Sequence, residues 1–155
     1  MARRISTKKR FPLKDLKYNS ILVSLFINRI LQKGKKRLAL SILYNALNII
    51  EEKTAKNPLL ILEIAVRNCS PYVQLKSKRI GGATHQVPLL LSNFQSIKLA
   101  IRWIVQFSRK RAGKKISIKL ANELLDASKG IGNVIKKKEE THKMAEANKT
   151  FFQVQ

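Results

Sequence analysis

The sequence predicts an all-α protein: a six-helix bundle with a protruding two-stranded β-hairpin between the third and fourth helices. Apolar residues recur at helical spacing through most of the chain. Only residues 72–91 come closer to strand-like alternation, and Gly81-Gly82 lies at their centre. With 155 residues, 45% of them hydrophobic, the chain is long enough for one domain, residues 1–155, with a core of its own.

The first two helices follow a basic tail, residues 1–14, which we expect to be extended. Apolar residues repeat in "YNSILVSLFINRIL", the pattern breaks at "QKGKK", and it resumes in "RLALSILYNALNIIEEK". Two helices joined by so short a glycine loop should pack as neighbours. The predicted buried residues are Ile21, Leu22, Leu25, Phe26 and Ile30 in the first helix, and Ala39, Ile42, Leu43, Ala46, Leu47 and Ile50 in the second.

The third helix and the hairpin have clear boundary signals. Asn57 can cap the helix "NPLLILEIAVRN" with Pro58 in its first position, and Ser70-Pro71 should end it. The hairpin arm then occupies residues 72–91, with Gly81 and Gly82 as a two-residue turn.

Three helices complete the predicted bundle. The fourth places Ile97, Ala100, Ile101 and Ile104 on one face and Gln95, Lys98, Arg102 and Arg109 on the other. The fifth turns Ala121, Leu124, Leu125 and Ser128 inward. The sixth, capped by Asn133, is so polar that we expect it to be peripheral.

Charge is the strongest functional signal. Lys and Arg number 32 against 9 Asp and Glu, which gives a net charge of +23, and no acid lies between Ile64 and Asn122. Segregated charge of this kind attracts phosphate, so nucleic acid is the favoured partner over an anionic membrane surface. Cations concentrate in five places: the tail (Arg3, Arg4, Lys8, Lys9, Arg10), the Gly34 loop (Lys33, Lys35, Lys36, Arg37), the end of the fourth helix and its loop (Arg102, Arg109, Lys110, Arg111, Lys114, Lys115), the hairpin (Lys76, Lys78, Arg79) and the sixth helix (Lys136, Lys137, Lys138).

Signals for catalysis, cofactors or metals are weak. Cys69 is expected to be a buried, inert thiol, and His85 and His142 lack ligand partners at metal spacing. Glu123 and Asp126 are expected to form local ion pairs rather than act as an acid–base pair. We therefore expect a protein that is not an enzyme and has no cofactor, metal or small-molecule substrate. The start "MARRISTKKRF" has no apolar core of a secretory signal, and no stretch is apolar enough to span a membrane.

Five motifs, in order, resemble one known family. They are "INRILQKGKKRLAL", "KTAKNPLLILEIAVRN", "KSKRIGGATHQVP", "LAIRW" and "KKKEETHKMAEANK". Together they resemble the seventh protein of the small ribosomal subunit in bacteria and organelles, over nearly the whole chain. "THQVP" and "EETHKMAEAN" are most similar to plastid members, and the chain begins where plastid-encoded members begin. The resemblance implies a plastid (chloroplast) ribosome, without a cleaved transit peptide; the alternative is the bacterial cytoplasm.

The resemblance implies a structural, primary rRNA-binding role that nucleates assembly of the subunit head on the 3′ major domain. The first three cation clusters would bind rRNA. The hairpin with Gly81 and Gly82 at its tip, and the sixth helix with His142 and Lys143 beside its lysines, would lie near exit-site tRNA and mRNA. The implied neighbours are the ninth, eleventh and thirteenth small-subunit proteins. Two stretches depart from the family pattern, "LLLSNFQSI" and "TFFQVQ", because they lack the cations that many relatives carry there.

Two other functions compete with this one. A DNA-packaging or other non-ribosomal nucleic-acid-binding protein would use the hairpin in the minor groove, but Gly81-Gly82-Ala83 provides no apolar wedge. An enzyme acting on RNA would need a positioned base or metal-binding carboxylates, which the acid-free middle of the chain lacks.

Overall fold

The computed structural model describes residues 12–149, and over this range the predicted fold is confirmed. Six α-helices surround a core, and a two-stranded antiparallel hairpin separates the third helix from the fourth. The elements are α1 (Ile21–Ile30), α2 (Lys36–Thr54), α3 (Pro58–Cys69), β1 (Val73–Ile80), β2 (Ala83–Leu90), α4 (Asn93–Lys110), α5 (Ile116–Ser128) and α6 (Asn133–Ala147). The tail cations Arg3, Arg4, Lys8, Lys9 and Arg10 and the segment "TFFQVQ" lie outside the described residues.

Helix α5 forms the centre of the bundle and packs against α2, α3 and α4. Leu120, Ala121, Leu124 and Ala127 recur at one-, three- and four-residue steps, and all are buried. The sequence prediction placed Leu125 and Ser128 inward as well, and both are half-buried. Burying a leucine of this kind contributes about 1.5–3 kcal/mol, so the apolar stripe explains why a short helix can hold three neighbours.

The buried face of α1 differs from the predicted one. Val23, Phe26, Ile27 and Ile30 are buried, whereas Ile21 is 42% exposed. The helix begins only at Ile21, and its core contact follows the line of residues 23, 26, 27 and 30. In α2 the predicted stripe is confirmed, except that Ile42 is only partly buried.

Helix boundaries follow the predicted signals at α3 but not at α6. Asn57 Oδ1 accepts a hydrogen bond from Leu59 N at 3.0 Å, and Pro58 occupies the first helical turn. The predicted cap of the sixth helix was wrong: Gly132, with φ of 111°, precedes the helix, and Asn133 is its first residue. Asn133 is the better N-cap residue by its side chain, but the backbone at position 132 has a positive φ that favours glycine, and the helix begins directly after it.

The hairpin arm is paired from base to tip. Its register runs from Val73 opposite Leu90 to Ile80 opposite Ala83. Gly81 and Gly82 have φ of 58° and 89°, as a type I′ turn requires. Val73 and Val87 are buried at the base, where β1 packs against α6. The body therefore holds the base of the arm, while its outer half is exposed.

Helix α6 is more tightly attached than its polar sequence suggests. Val134, Thr141 and Ala145 are buried, and the helix packs against β1, α3 and α4. Lys138 Nζ also donates to the carbonyl oxygen of Asn68 at 2.7 Å, at the end of α3. In the part of the chain that the structure describes, no helix is long and apolar enough to cross a bilayer.

Candidate nucleic-acid interface

A basic groove runs between α1 and α4. We call it the α1–α4 groove. Its cations are Arg29 from the last turn of α1 and Lys98, Arg102, Arg109 and Lys110 from α4, all of them exposed. Steps of four and seven residues place Lys98, Arg102 and Arg109 on one side of α4. Since none of the described residues that line the groove is acidic, it is suited to a polyanion.

Two cations of the α1–α4 groove, Arg109 and Lys98, make contacts within the protein. Arg109 Nη2 donates at 3.2 Å to the carbonyl oxygen of Ile30, which satisfies an acceptor at the end of α1. Lys98 Nζ lies 4.1 Å from the centre of the Phe94 ring, within the range of a cation–π interaction. These two side chains are thus held along the surface, which lowers the entropy that they lose when they bind a ligand.

The loop between α1 and α2 extends the basic surface. Lys33, Lys35, Lys36 and Arg37 are all exposed. Lys33 and Lys35 line a depression that also includes Arg109 of α4 and Ile116 of α5. The fold thereby brings the loop cluster beside the cluster at the end of α4, although some 70 residues separate them in sequence.

Arg111 differs from the other predicted rRNA-binding residues. Its Nε lies 3.2 Å from Glu123 Oε2, and its Nη2 pairs with Asp126. Burial raises the pKa of Glu123, and the charge of Arg111 partly offsets that effect. The expected local ion pairing of these two acids is confirmed. Lys114 and Lys115, in the same loop, are exposed.

The hairpin presents cations on both faces. Lys76 and Lys78 lie two residues apart on one face of β1, and Arg79 lies on the other. All three are exposed, as are Gly81 and Gly82 at the tip. Positive charge therefore faces both sides of the arm, next to a narrow tip formed by two glycines.

In the predicted cation cluster on α6, some side chains are exposed and others already bond to groups of the protein. Lys136 and Lys143 are exposed, whereas Lys137 Nζ lies 3.3 Å from Glu140 and Lys138 is bonded to the body. The His142 ring packs on Tyr72 at the base of the arm, with ring centres 4.0 Å apart. Burial, and secondarily Lys138, lowers the pKa of His142, which favours the neutral ring.

Arg29 and Lys98 are the functional candidates that sequence reasoning missed. Lys98 had a signal, since it precedes Arg102 by four residues on the predicted polar face. Arg29 had none, because its neighbours in the groove come from a helix far along the chain.

Metal and thiol chemistry find no support in the described part of the chain. Among residues 12–149, no group of three or more His, Cys, Asp or Glu side chains could hold a metal ion. Cys69 is buried as expected, and burial raises its pKa to about 12, an effect that Lys138 partly opposes. The thiolate is therefore scarce near neutral pH.

Comparisons with known proteins agree with this geometry. A family model described as ribosomal protein S7p/S5e matches residues 2–149. The small ribosomal subunit protein uS7c of Trieres chinensis is 56% identical over 144 residues, covering 93% of this chain and 91% of the relative. The proteins uS7 of Thermosynechococcus vestitus and uS7c of Cyanophora paradoxa are 51% and 54% identical over 151 residues, covering 97% of both chains in each pair. A match of this extent and identity means that the chain belongs to the ribosomal protein S7p/S5e family.

Proposed function

We propose that this chain is a structural, non-catalytic constituent of the small ribosomal subunit that binds the subunit's rRNA. The observation that carries the proposal is the continuous basic surface formed by the α1–α4 groove and the loop before α2. Membership of the family, and the small-subunit names of the relatives, supply the identity of the polyanion.

The net charge of the chain predicts that this binding is electrostatic and depends on salt. At a net charge of +23 the folded chain repels itself, and the phosphates of an RNA scaffold neutralise that charge. The counterions released from the RNA on binding provide a driving force that weakens as salt rises. If roughly 6–10 phosphates are neutralised, affinity should fall about 10³–10⁵-fold between 50 and 200 mM salt.

Binding should be measured on a folded fragment of the 3′ major domain of small-subunit rRNA. Duplex DNA of equal phosphate count is the control. We expect steep salt dependence on both, with tighter binding to the folded RNA at every salt concentration. Equal affinity for the two would contradict the proposal and favour a DNA-packaging protein.

The finer role follows the family resemblance. We propose that the chain nucleates assembly of the subunit head and that its hairpin and α6 face exit-site tRNA and mRNA. Its neighbours would be the ninth, eleventh and thirteenth small-subunit proteins. The exposed outer half of the arm supports this division, because it leaves Lys76, Lys78 and Arg79 unburied by the body.

Two sets of alanine substitutions test the division of labour. Changing Lys76, Lys78 and Arg79 should leave rRNA assembly largely intact and weaken mRNA and exit-site tRNA binding to reconstituted subunits. Changing Arg3, Arg4, Lys35 and Lys36 should impair assembly instead. Loss of head assembly in the hairpin variant would contradict the proposed roles.

We also propose that the chain works in a plastid ribosome, with the bacterial cytoplasm as the alternative. Plastid-type and cyanobacterial relatives match it at similar identity, which supports a plastid or cyanobacterial lineage. Sedimentation of plastid extracts, probed with an antibody to the chain, should place it with the small subunit. Its recovery only outside plastids would favour the alternative.

A further inference from the structure

We propose that Arg111 is a positioning residue, which holds the basic loop of residues 112–115 in an RNA-binding shape without contacting phosphate itself. The inference rests on the proposed rRNA-binding function. It departs from the sequence prediction, which grouped Arg111 with the phosphate-binding cations.

The ion pairs of Arg111 tie the start of this loop to α5. Arg111 is the C-cap residue directly after α4, and its backbone N donates to Phe107 O at 3.0 Å. Its guanidinium bridges Glu123 and Asp126, which lie three residues apart on one side of α5. A planar guanidinium that engages two carboxylates is fixed in orientation as well as in place.

The rest of the loop is also constrained. Gly113 has φ of 125°, and a Cβ there would lie 3.6 Å from Lys119 Cε, so the loop passes close over the stem of that lysine. Lys119 N donates to Lys115 O at 3.2 Å, where α5 begins. Four residues held at both ends have little freedom, and Lys114 and Lys115 are left exposed on a preformed loop.

The local charge argues against phosphate at Arg111. One guanidinium faces two carboxylates, and the Glu123 side chain is 3% exposed while that of Arg111 is 31% exposed. A phosphate approaching Arg111 would also approach Asp126, whose side chain is 38% exposed. Like-charge repulsion therefore cancels much of the attraction that Arg111 could provide.

Replacing Asp126 distinguishes a positioning role of Arg111 from direct phosphate binding by Arg111. Removing an acid near an RNA site ordinarily tightens binding, because it removes repulsion. If Arg111 positions the loop, Asp126→Asn should instead weaken binding to the rRNA fragment about fivefold or more, since the loop must then be ordered on binding. The slope of log affinity against log salt should stay unchanged, because no phosphate contact is lost.

Two Arg111 variants test the same role, and replacement of an acid outside the loop serves as the control. Arg111→Lys keeps the charge but loses the planar fork, so its affinity should fall like that of Arg111→Met, again with an unchanged slope. Glu140→Gln removes an acid from an exposed ion pair on α6 and should not weaken binding. The double change Lys114→Ala with Lys115→Ala should reduce the slope by about 1.4–1.8, the value for two phosphate contacts. Thermal unfolding identifies variants that are folded at the assay temperature.

The outcomes distinguish this inference from the function on which it rests. Tighter binding by Asp126→Asn, or normal affinity in Arg111→Lys together with a reduced slope in Arg111→Met, would overturn the positioning role. An unchanged slope in the Lys114–Lys115 variant would also overturn it, because the loop would then bind no phosphate. Variants of the α1–α4 groove test the proposed function separately. Arg29→Ala with Lys98→Ala should reduce the slope of log affinity against log salt even if the loop of residues 112–115 binds no phosphate.

Discussion

At the scale of single residues, Asp15 ties the segment before α1 to helix α2. Its carboxylate accepts hydrogen bonds from Tyr44 Oη at 2.9 Å and from the backbone N of Lys17 and Tyr18 at 3.1 and 3.2 Å. Lys17 Nζ lies 5.2 Å from the centre of the Tyr44 ring, within the range of a cation–π interaction. The sequence could not predict this anchor, because 29 positions separate Asp15 from Tyr44.

Tyr44→Phe should lower the free energy of unfolding at pH 7 by about 1–2 kcal/mol, because it removes a hydrogen bond to the buried carboxylate of Asp15. Tyr18→Phe, which removes the hydroxyl of the adjacent ring, is the control and should have a smaller effect. Chemical denaturation followed by circular dichroism measures both. Equal losses in the two variants would show that the bond to Asp15 contributes little.

The same hydroxyl makes stability depend on pH. Burial, together with the hydrogen bond to Asp15, raises the pKa of Tyr44 to about 12. Because the folded chain holds this proton more tightly than the unfolded chain, the contribution is complete below the ordinary tyrosine pKa. It is then lost as pH rises through about 12. The decline in stability above pH ~10 should therefore be shallower in Tyr44→Phe.

At the scale of elements, local sequence signals predicted where helices and turns begin better than they predicted which face of a helix is buried. Asn57 and Pro58 specify the start of α3 without help from the rest of the fold, and Gly81-Gly82 specifies the turn of the hairpin. The buried face of α1 depends on α2 and α4, so Val23 and Ile27 were missed although the helix itself was predicted. At α6 the sequence prediction chose Asn133 as the cap, whereas Gly132, with φ of 111°, is the residue that precedes the helix.

The tip of the hairpin provides a test at this scale. A Cβ at Gly81 would meet no atom within 4 Å, so a substitution there acts through the backbone, at φ of 58°, and not through a clash. Gly81→Val should destabilise the arm by about 1–3 kcal/mol, whereas Gly81→Asn, which tolerates this conformation, should have little effect. Hydrogen exchange should show faster exchange in β1 and β2 of the valine variant alone, with the helices unchanged. Faster exchange in the helices would show that the arm and body unfold together.

At the scale of the whole molecule, the sequence revealed how much charge is segregated but not the shape that this charge takes. The acid-free run from Ile64 to Asn122 indicated a polyanion partner from composition alone. The α1–α4 groove arises only when α1 packs beside α4, which places Arg29 next to Lys98 and Arg102. Arg111 shows the converse, because a cation that looked available in the sequence is paired with two acids from another helix.

Replacing Arg29, Lys98 and Arg102 together with alanine should reduce the salt slope of rRNA binding by about 2–3, one contact per lost cation. The control is Lys56→Ala, an exposed lysine outside the groove. It should change the slope by less than one contact. Filter binding across a salt series measures both variants. A slope equal to that of the unaltered chain would show that the groove lies away from the RNA.

The continuous pairing of the arm also limits how its reach can change during evolution. β1 and β2 each contain eight residues, and the two-residue turn leaves no slack between them. A residue added to one strand alone would disrupt the ladder, and one added to each strand would reverse which side of the arm the tip presents. Descendants of this gene that lengthen the arm and keep its orientation must therefore gain codons four at a time, which advances the tip by about 7 Å per step.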